Sequence, residues 1–194
     1  NQKSSEVRGE ILFSQPDVME DFNTVYKGQI ISDIVIKTRS ATYPAHKVVL
    51  FAGSCTLREI FTKDFRDEST KLFEIEDLDD DTVSRMLPFM YTDSLEDVQW
   101  DTAMKLYRAA VVYQIERLKI KSSCFLLEKV DVSNASDLLL MAHEHHDAKL
   151  KTIVEDFIFM HYKEIFGSDQ WAVFSEANCR LANDTMRSLF RRHE

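Results

Sequence analysis

Glycine and proline are scarce in this sequence, with four and three among 194 residues. The glycines, Gly9, Gly28, Gly53 and Gly167, are far apart. A glycine-rich loop that cradles phosphates therefore has nothing to be built from. With few breakers, the chain is expected to be mostly helical with tight connections. Cysteine is equally sparse: Cys55, Cys124 and Cys179 are odd in number, widely spaced and free of any CxxC pattern. That excludes a disulfide framework and points to reduced thiols of the cytosol or nucleus, packed as small hydrophobes. No apolar run reaches the length of a membrane span, and no signal-peptide pattern opens the chain. It begins at Asn1 rather than Met, as a piece of a longer protein would. Positive charge is the minority sign: the net charge is -9 and the pI about 5.2. The basic clusters, Arg117, Lys119 and Lys121 and then Arg187, Arg191 and Arg192, read as helix surfaces and not as a nucleic-acid stripe.

Catalytic constellations are missing too. There is no GxSxG and no cysteine beside a local histidine. The run His143-Glu144-His145-His146-Asp147 is not HExxH, because Asp147 occupies the place of the second histidine. Adjacent His145 and His146 would point about 100° apart on a helix. The run is read as an exposed helix end, with no metal and no cofactor.

What is present is a mixed pattern followed by a helical one. Ser14-Gln15-Pro16-Asp17 reads as a helix start, with Ser14 as cap. Val18, Phe22 and Val25 then form one stripe, and Gly28 closes the helix. Ile34 to Ile36 is a short strand, returned through Thr38-Arg39-Ser40 to Thr42-Tyr43. Helical spacing resumes at Lys47, breaks at Gly53-Ser54, and continues through Leu57, Ile60 and Phe61. The charged segment from Thr62 to Thr70 is read as a loop, and Leu72 to Ile75 as a strand. Asp79-Asp80-Asp81 places carboxylates where a helix dipole favours them. Helices are expected over Asp101 to Tyr113, Ile115 to Glu128, Leu138 to Ala142, Leu150 to Tyr162 and Leu181 to Phe190. From 131 onward no strand candidate remains, so the chain divides into a linker 1–16, a mixed domain 17–128 and a helical domain 129–194.

Ordered tokens carry a family resemblance. Ser32-Asp33-Ile34-Val35, Ala45-His46-Lys47-Val48-Val49-Leu50, Phe89-Met90-Tyr91-Thr92 and Ala109 to Leu118 together resemble the BTB (POZ) domain. Asn134 to Ala142 and Leu150 to Ile158 resemble the BACK-type helical extension. With Trp171 and Arg187-Ser188-Leu189, the chain resembles the speckle-type POZ proteins, in which a substrate-reading MATH domain normally lies upstream.

The resemblance implies an α+β fold, a small sheet with a helical bundle, followed by an all-α BACK-like domain. It implies a non-enzymatic homodimer that docks a cullin scaffold as the substrate adaptor of a cullin-RING ubiquitin ligase in the nucleus or cytoplasm. The substrate protein would be held by a domain outside this chain, with no nucleic acid and no membrane involved. The alternative is a dimer that scaffolds or recruits a transcriptional co-repressor. By resemblance Val18, Phe22, Val25 and Val49 match a dimer contact, and Phe65, Asp67, Glu68 and Tyr91 a cullin contact. Phe65 fills the apolar slot there, while Asp67 stands where the family has Glu, one methylene longer. Asp33 and Lys47 match a charged pair of the fold, read as orienting the hairpin on the helix. Asp93 replaces a usual glycine at a turn where φ is positive, a conformation Asp tolerates. Met186 replaces a tyrosine used in end-to-end assembly, which argues against higher-order oligomers.

Overall fold

The computed structural model describes residues 17–64 and 71–192. The expected linker, the Ser14 cap and the proposed contacts at Phe65, Asp67 and Glu68 lie outside the described residues. The fold is α+β, with helices α1 (Val18–Lys27), α2 (Lys47–Gly53), α3 (Cys55–Asp64), α4 (Asp80–Thr92), α5 (Trp100–Val112), α6 (Glu116–Lys129), α7 (Ala135–Glu144), α8 (Ala148–Met160), α9 (Tyr162–Phe166), α10 (Asp169–Ala177) and α11 (Cys179–Arg192). The strands are β1 (Ile34–Lys37), β2 (Thr42–Ala45) and β3 (Leu72–Glu74). Packing divides the chain into two compact units, Asn1–Glu96 with Tyr113–Ile115, and Asp97–Val112 with Glu116–Glu194.

In the first unit the sheet order is β2-β1-β3, with β2 antiparallel and β3 parallel to the central strand. Ile34 and Ile36 alternate into the core, at 2% and 0% exposure. Pro44 has no N–H to offer a ladder, and it sits on the edge strand β2 where that is tolerated. The hairpin turn is closed by the Thr38 N–H donating to the Ala41 carbonyl at 2.9 Å. Thr38 and Ser40 hydroxyls then donate to the Asp80 carboxylate at the start of α4, which fastens turn to helix. Those donors hold Asp80 below the ordinary carboxylate range, Ser40 first.

Local signals explain the helix ends. Asp17 caps α1, its carboxylate accepting from Met19 N–H at 2.9 Å. Gly28 does end α1, but with φ of -77°, and the left-handed turn falls on Gln29 and Ile31 instead. Asp79 caps α4 by accepting from Thr82 N–H at 2.8 Å. Asp93 closes α4 at φ 55°, the left-handed geometry expected there. At Gly53 an added Cβ would lie 2.6 Å from the terminal methyl of Met90, so glycine lets α2 and α4 approach closely. Tyr113 belongs to this unit: its carbonyl accepts from Ser54 Oγ at 2.5 Å and its hydroxyl donates to Asp77 at 2.7 Å.

The second unit has helices and no strand among its described residues. Its core joins Ala103, Met104 and Tyr107 of α5 and Leu126 of α6 to Leu138, Leu139, Val154, Ile158 and Trp171. Two of its helices, α9 and α10, were not foreseen. Ser168 caps α10 by accepting from Trp171 N–H at 3.1 Å, and Trp171 stacks between Phe166 and Phe174 at 4.7 and 5.0 Å. The run from His143 to Asp147 is more than an exposed helix end. Asp147 caps α8 through Leu150 N–H at 3.0 Å, and accepts from the Tyr107 hydroxyl at 2.9 Å and from Lys119 Nζ at 2.8 Å. The three thiols do not pack as core hydrophobes: all are exposed.

Candidate interaction surface

Helix α1 is amphipathic, yet it has no buried residue in the single chain. Val18 is 60% exposed and Phe22 44%; Val25, a turn further on, is half-buried. Met19 is exposed as well. A stripe that should bury its apolar side chains thus leaves its N-terminal half open. The loop after α1 adds Ile30 and Ile31, the latter 87% exposed at φ 60°. A β-branched side chain in the left-handed region is strained, so surrounding contacts must hold the loop in place.

His46 supplies such a contact. Its Nε2 lies 2.7 Å from the Ile30 carbonyl, which can only accept, so Nε2 carries the proton. A neutral imidazole protonated at Nε2 presents Nδ1 as an acceptor. The Tyr91 hydroxyl, 2.8 Å away, donates to it and in turn accepts the His46 backbone N–H at 2.9 Å. One side chain thereby ties the Ile30 loop to the start of α2 and to the middle of α4. Tyr91 also packs on Tyr26 of α1, with ring centroids 4.6 Å apart. Burial pushes both phenols up to about 12.

Beyond His46, α2 presents Val48 and Val49. Val49, the residue singled out from the sequence, is half-buried, while its neighbour Val48 is 69% exposed. Sequence reasoning passed over Val48, Met19, Ile30 and Ile31, because exposure of apolar residues outside a regular stripe leaves no periodic signal.

Asp33 is exposed, and its carboxylate accepts the Lys47 backbone N–H at 2.8 Å, capping α2 at the end where its dipole is positive. His46, the cap residue by position, makes no side-chain cap bond of its own. Tyr91 is 3% exposed, with its hydroxyl committed to His46. Among the described residues no group of His, Cys, Asp and Glu could hold a metal ion, and no helix is long and apolar enough to cross a membrane. The chemistry this surface can offer is apolar burial bordered by backbone polar groups.

A family model for the BTB/POZ domain matches residues 22–130. Among curated proteins, Kelch-like protein 7 of Homo sapiens is 30% identical over 149 residues, covering 77% of this chain and 25% of that protein. TD and POZ domain-containing protein 4 of Mus musculus is 28% identical over 170 residues, or 87% of this chain and 46% of its own length. Protein maternal effect lethal 26 of Caenorhabditis elegans is 25% identical over 179 residues, or 92% and 45%. The chain thus spans between a quarter and just under half of these relatives.

Proposed function

This chain belongs to the BTB/POZ domain family, and from that premise we propose that it is a homodimeric protein-interaction module serving as substrate adaptor of a cullin-RING ubiquitin ligase. The observation that carries the reading is the open stripe on α1, with Val18 at 60% and Phe22 at 44% exposure on a helix with no fully buried residue in its own chain. Fully burying one such side chain is worth about 1.5–3 kcal/mol. A two-fold interface would count each of them twice, because the same patch serves both copies. Val25 and Val49, half-buried already, would complete that contact.

The cullin scaffold would be met by Phe65, with Asp67 and Glu68 supplying acid beside it. A large apolar side chain is the expected anchor of such a contact. Tyr91 enters this reading as a positioning residue, since its hydroxyl holds His46 and the start of α2. The domain division at 129 and the BACK-like character of the helices after it are proposed with the family. So is residence in the nucleus or cytoplasm. Substrate would be held by a domain beyond this chain.

The test is titration of the chain against a cullin N-terminal domain by calorimetry, with the dimer verified in the same buffer. Saturable binding at micromolar concentration supports the adaptor role. A verified dimer that shows no heat and no comigration refutes it.

A further inference from the structure

Between α4 and α5 the chain runs without regular structure over residues 93–99, and it carries the sequence Asp93-Ser94-Leu95-Glu96-Asp97. We infer that Ser94 is a phosphoacceptor for an acid-directed Ser/Thr protein kinase. Such kinases select substrates by charge pattern: a basic cleft takes carboxylates that follow the acceptor in an accessible, non-helical segment.

Ser94 meets each requirement. It is exposed, its backbone N–H is held by Thr92 Oγ1 at 3.3 Å, and no hydrogen bond among the described residues uses its own hydroxyl. Glu96 and Asp97 follow at the second and third positions, and both are exposed. Arg85 donates to the Glu96 carbonyl at 3.3 Å, which fixes that part of the segment through its backbone rather than its carboxylate. The other described residues with an acid three positions on are Thr56 and Thr152. Thr56 lies half-buried inside α3. Thr152 lies inside α8 with its hydroxyl donated to the Ala148 carbonyl at 2.8 Å. Neither lies in a non-helical segment.

In the transfer Ser94 Oγ attacks the γ-phosphorus of MgATP. An Oγ–P bond forms, the bond from that phosphorus to the β,γ-bridging oxygen breaks, and ADP leaves with the electron pair. The hydroxyl proton passes to the catalytic carboxylate of the kinase. The product adds a charge of about -2 to a segment of sequence that already carries Asp93, Glu96 and Asp97, and like charges repel. The modification therefore changes the local field far more than the local packing.

The experiment incubates the whole chain with casein kinase 2 and MgATP, and maps phosphate by tandem mass spectrometry. Ser94 is expected to be the principal acceptor. Ser94→Ala should remove the label while leaving the far-UV circular dichroism unchanged. Glu96→Gln with Asp97→Asn should slow labelling about tenfold. Asn tolerates the positive φ of 49° at position 97, so the backbone there is kept. Thr152→Ala should change nothing. Absence of label, label mainly at another residue, or an undiminished rate in the Gln/Asn double variant would each overturn the inference.

Discussion

Tyr91 and His46 are joined twice: the His46 backbone N–H donates to the tyrosine oxygen at 2.9 Å, and that oxygen lies 2.8 Å from the ring Nδ1. The pair is buried on the Tyr91 side, at 3% exposure, and its removal leaves two polar groups without a partner. Tyr91→Phe keeps the ring on Tyr26 and deletes only the hydroxyl. It should cost about 1–3 kcal/mol, the penalty of unpaired buried groups. Urea unfolding of the variant against the parent measures this. A loss below a few tenths of a kcal/mol would show that water or the loop satisfies His46 equally well.

Asp147 gathers an α8 cap, a phenol and an ammonium on one carboxylate. Burial alone would raise its pKa, but the Leu150 N–H, Lys119 and Tyr107 outweigh that and hold it below the usual 3.8. A depressed folded value means the stabilisation is fully present above pH near 3.8 and is lost as pH falls through the folded pKa. Asp147→Ala should cost about 2–4 kcal/mol at neutral pH, through lost cap and lost ion pair together. Asp147→Asn keeps a capping oxygen and should lose less. Tryptophan fluorescence during denaturation at neutral pH and again below pH 4 checks both. The gap between parent and Asn variant should narrow in acid, and a constant gap contradicts the linkage.

Phe65 and Asp67 make the cullin reading quantitative. Phe65→Ala should weaken binding of a cullin N-terminal domain tenfold or more, about 1.4 kcal/mol, with the dimer intact. Asp67→Glu restores one methylene of reach and should tighten binding. Calorimetric titration of both variants decides; equal affinities for all three proteins would move the contact elsewhere.

The three thiols should titrate in the native state, because Cys55, Cys124 and Cys179 are all exposed. A chromogenic disulfide reagent should label each without denaturant. Labelling only after unfolding would place them inside.

Much of the fold was legible because its signals are local. The β1–β2 hairpin, the acidic start of α4 and the positive φ of Asp93 each depend on a few adjacent residues. α9 and α10 escaped notice because α9 spans five residues and α10 buries only Trp171 and Phe174, too few for a stripe. The Asp17 cap of α1 was not singled out, because Ser14 and Asp17 carry the same capping chemistry in sequence. Partnerships such as His46 with Ile30 and Tyr91, or Asp147 with Tyr107 and Lys119, span long stretches of chain and follow from tertiary packing alone. The open face of α1 was half legible: the stripe could be read, but not whether its own chain covers it.

That face is the most direct place to test the account. Multi-angle light scattering on the purified chain at micromolar concentration should return twice the 22.6 kDa chain mass. Phe22→Asp should return 22.6 kDa with unchanged far-UV circular dichroism. A parent protein that scatters as one chain, or a Phe22→Asp variant that still scatters as two, contradicts association through α1.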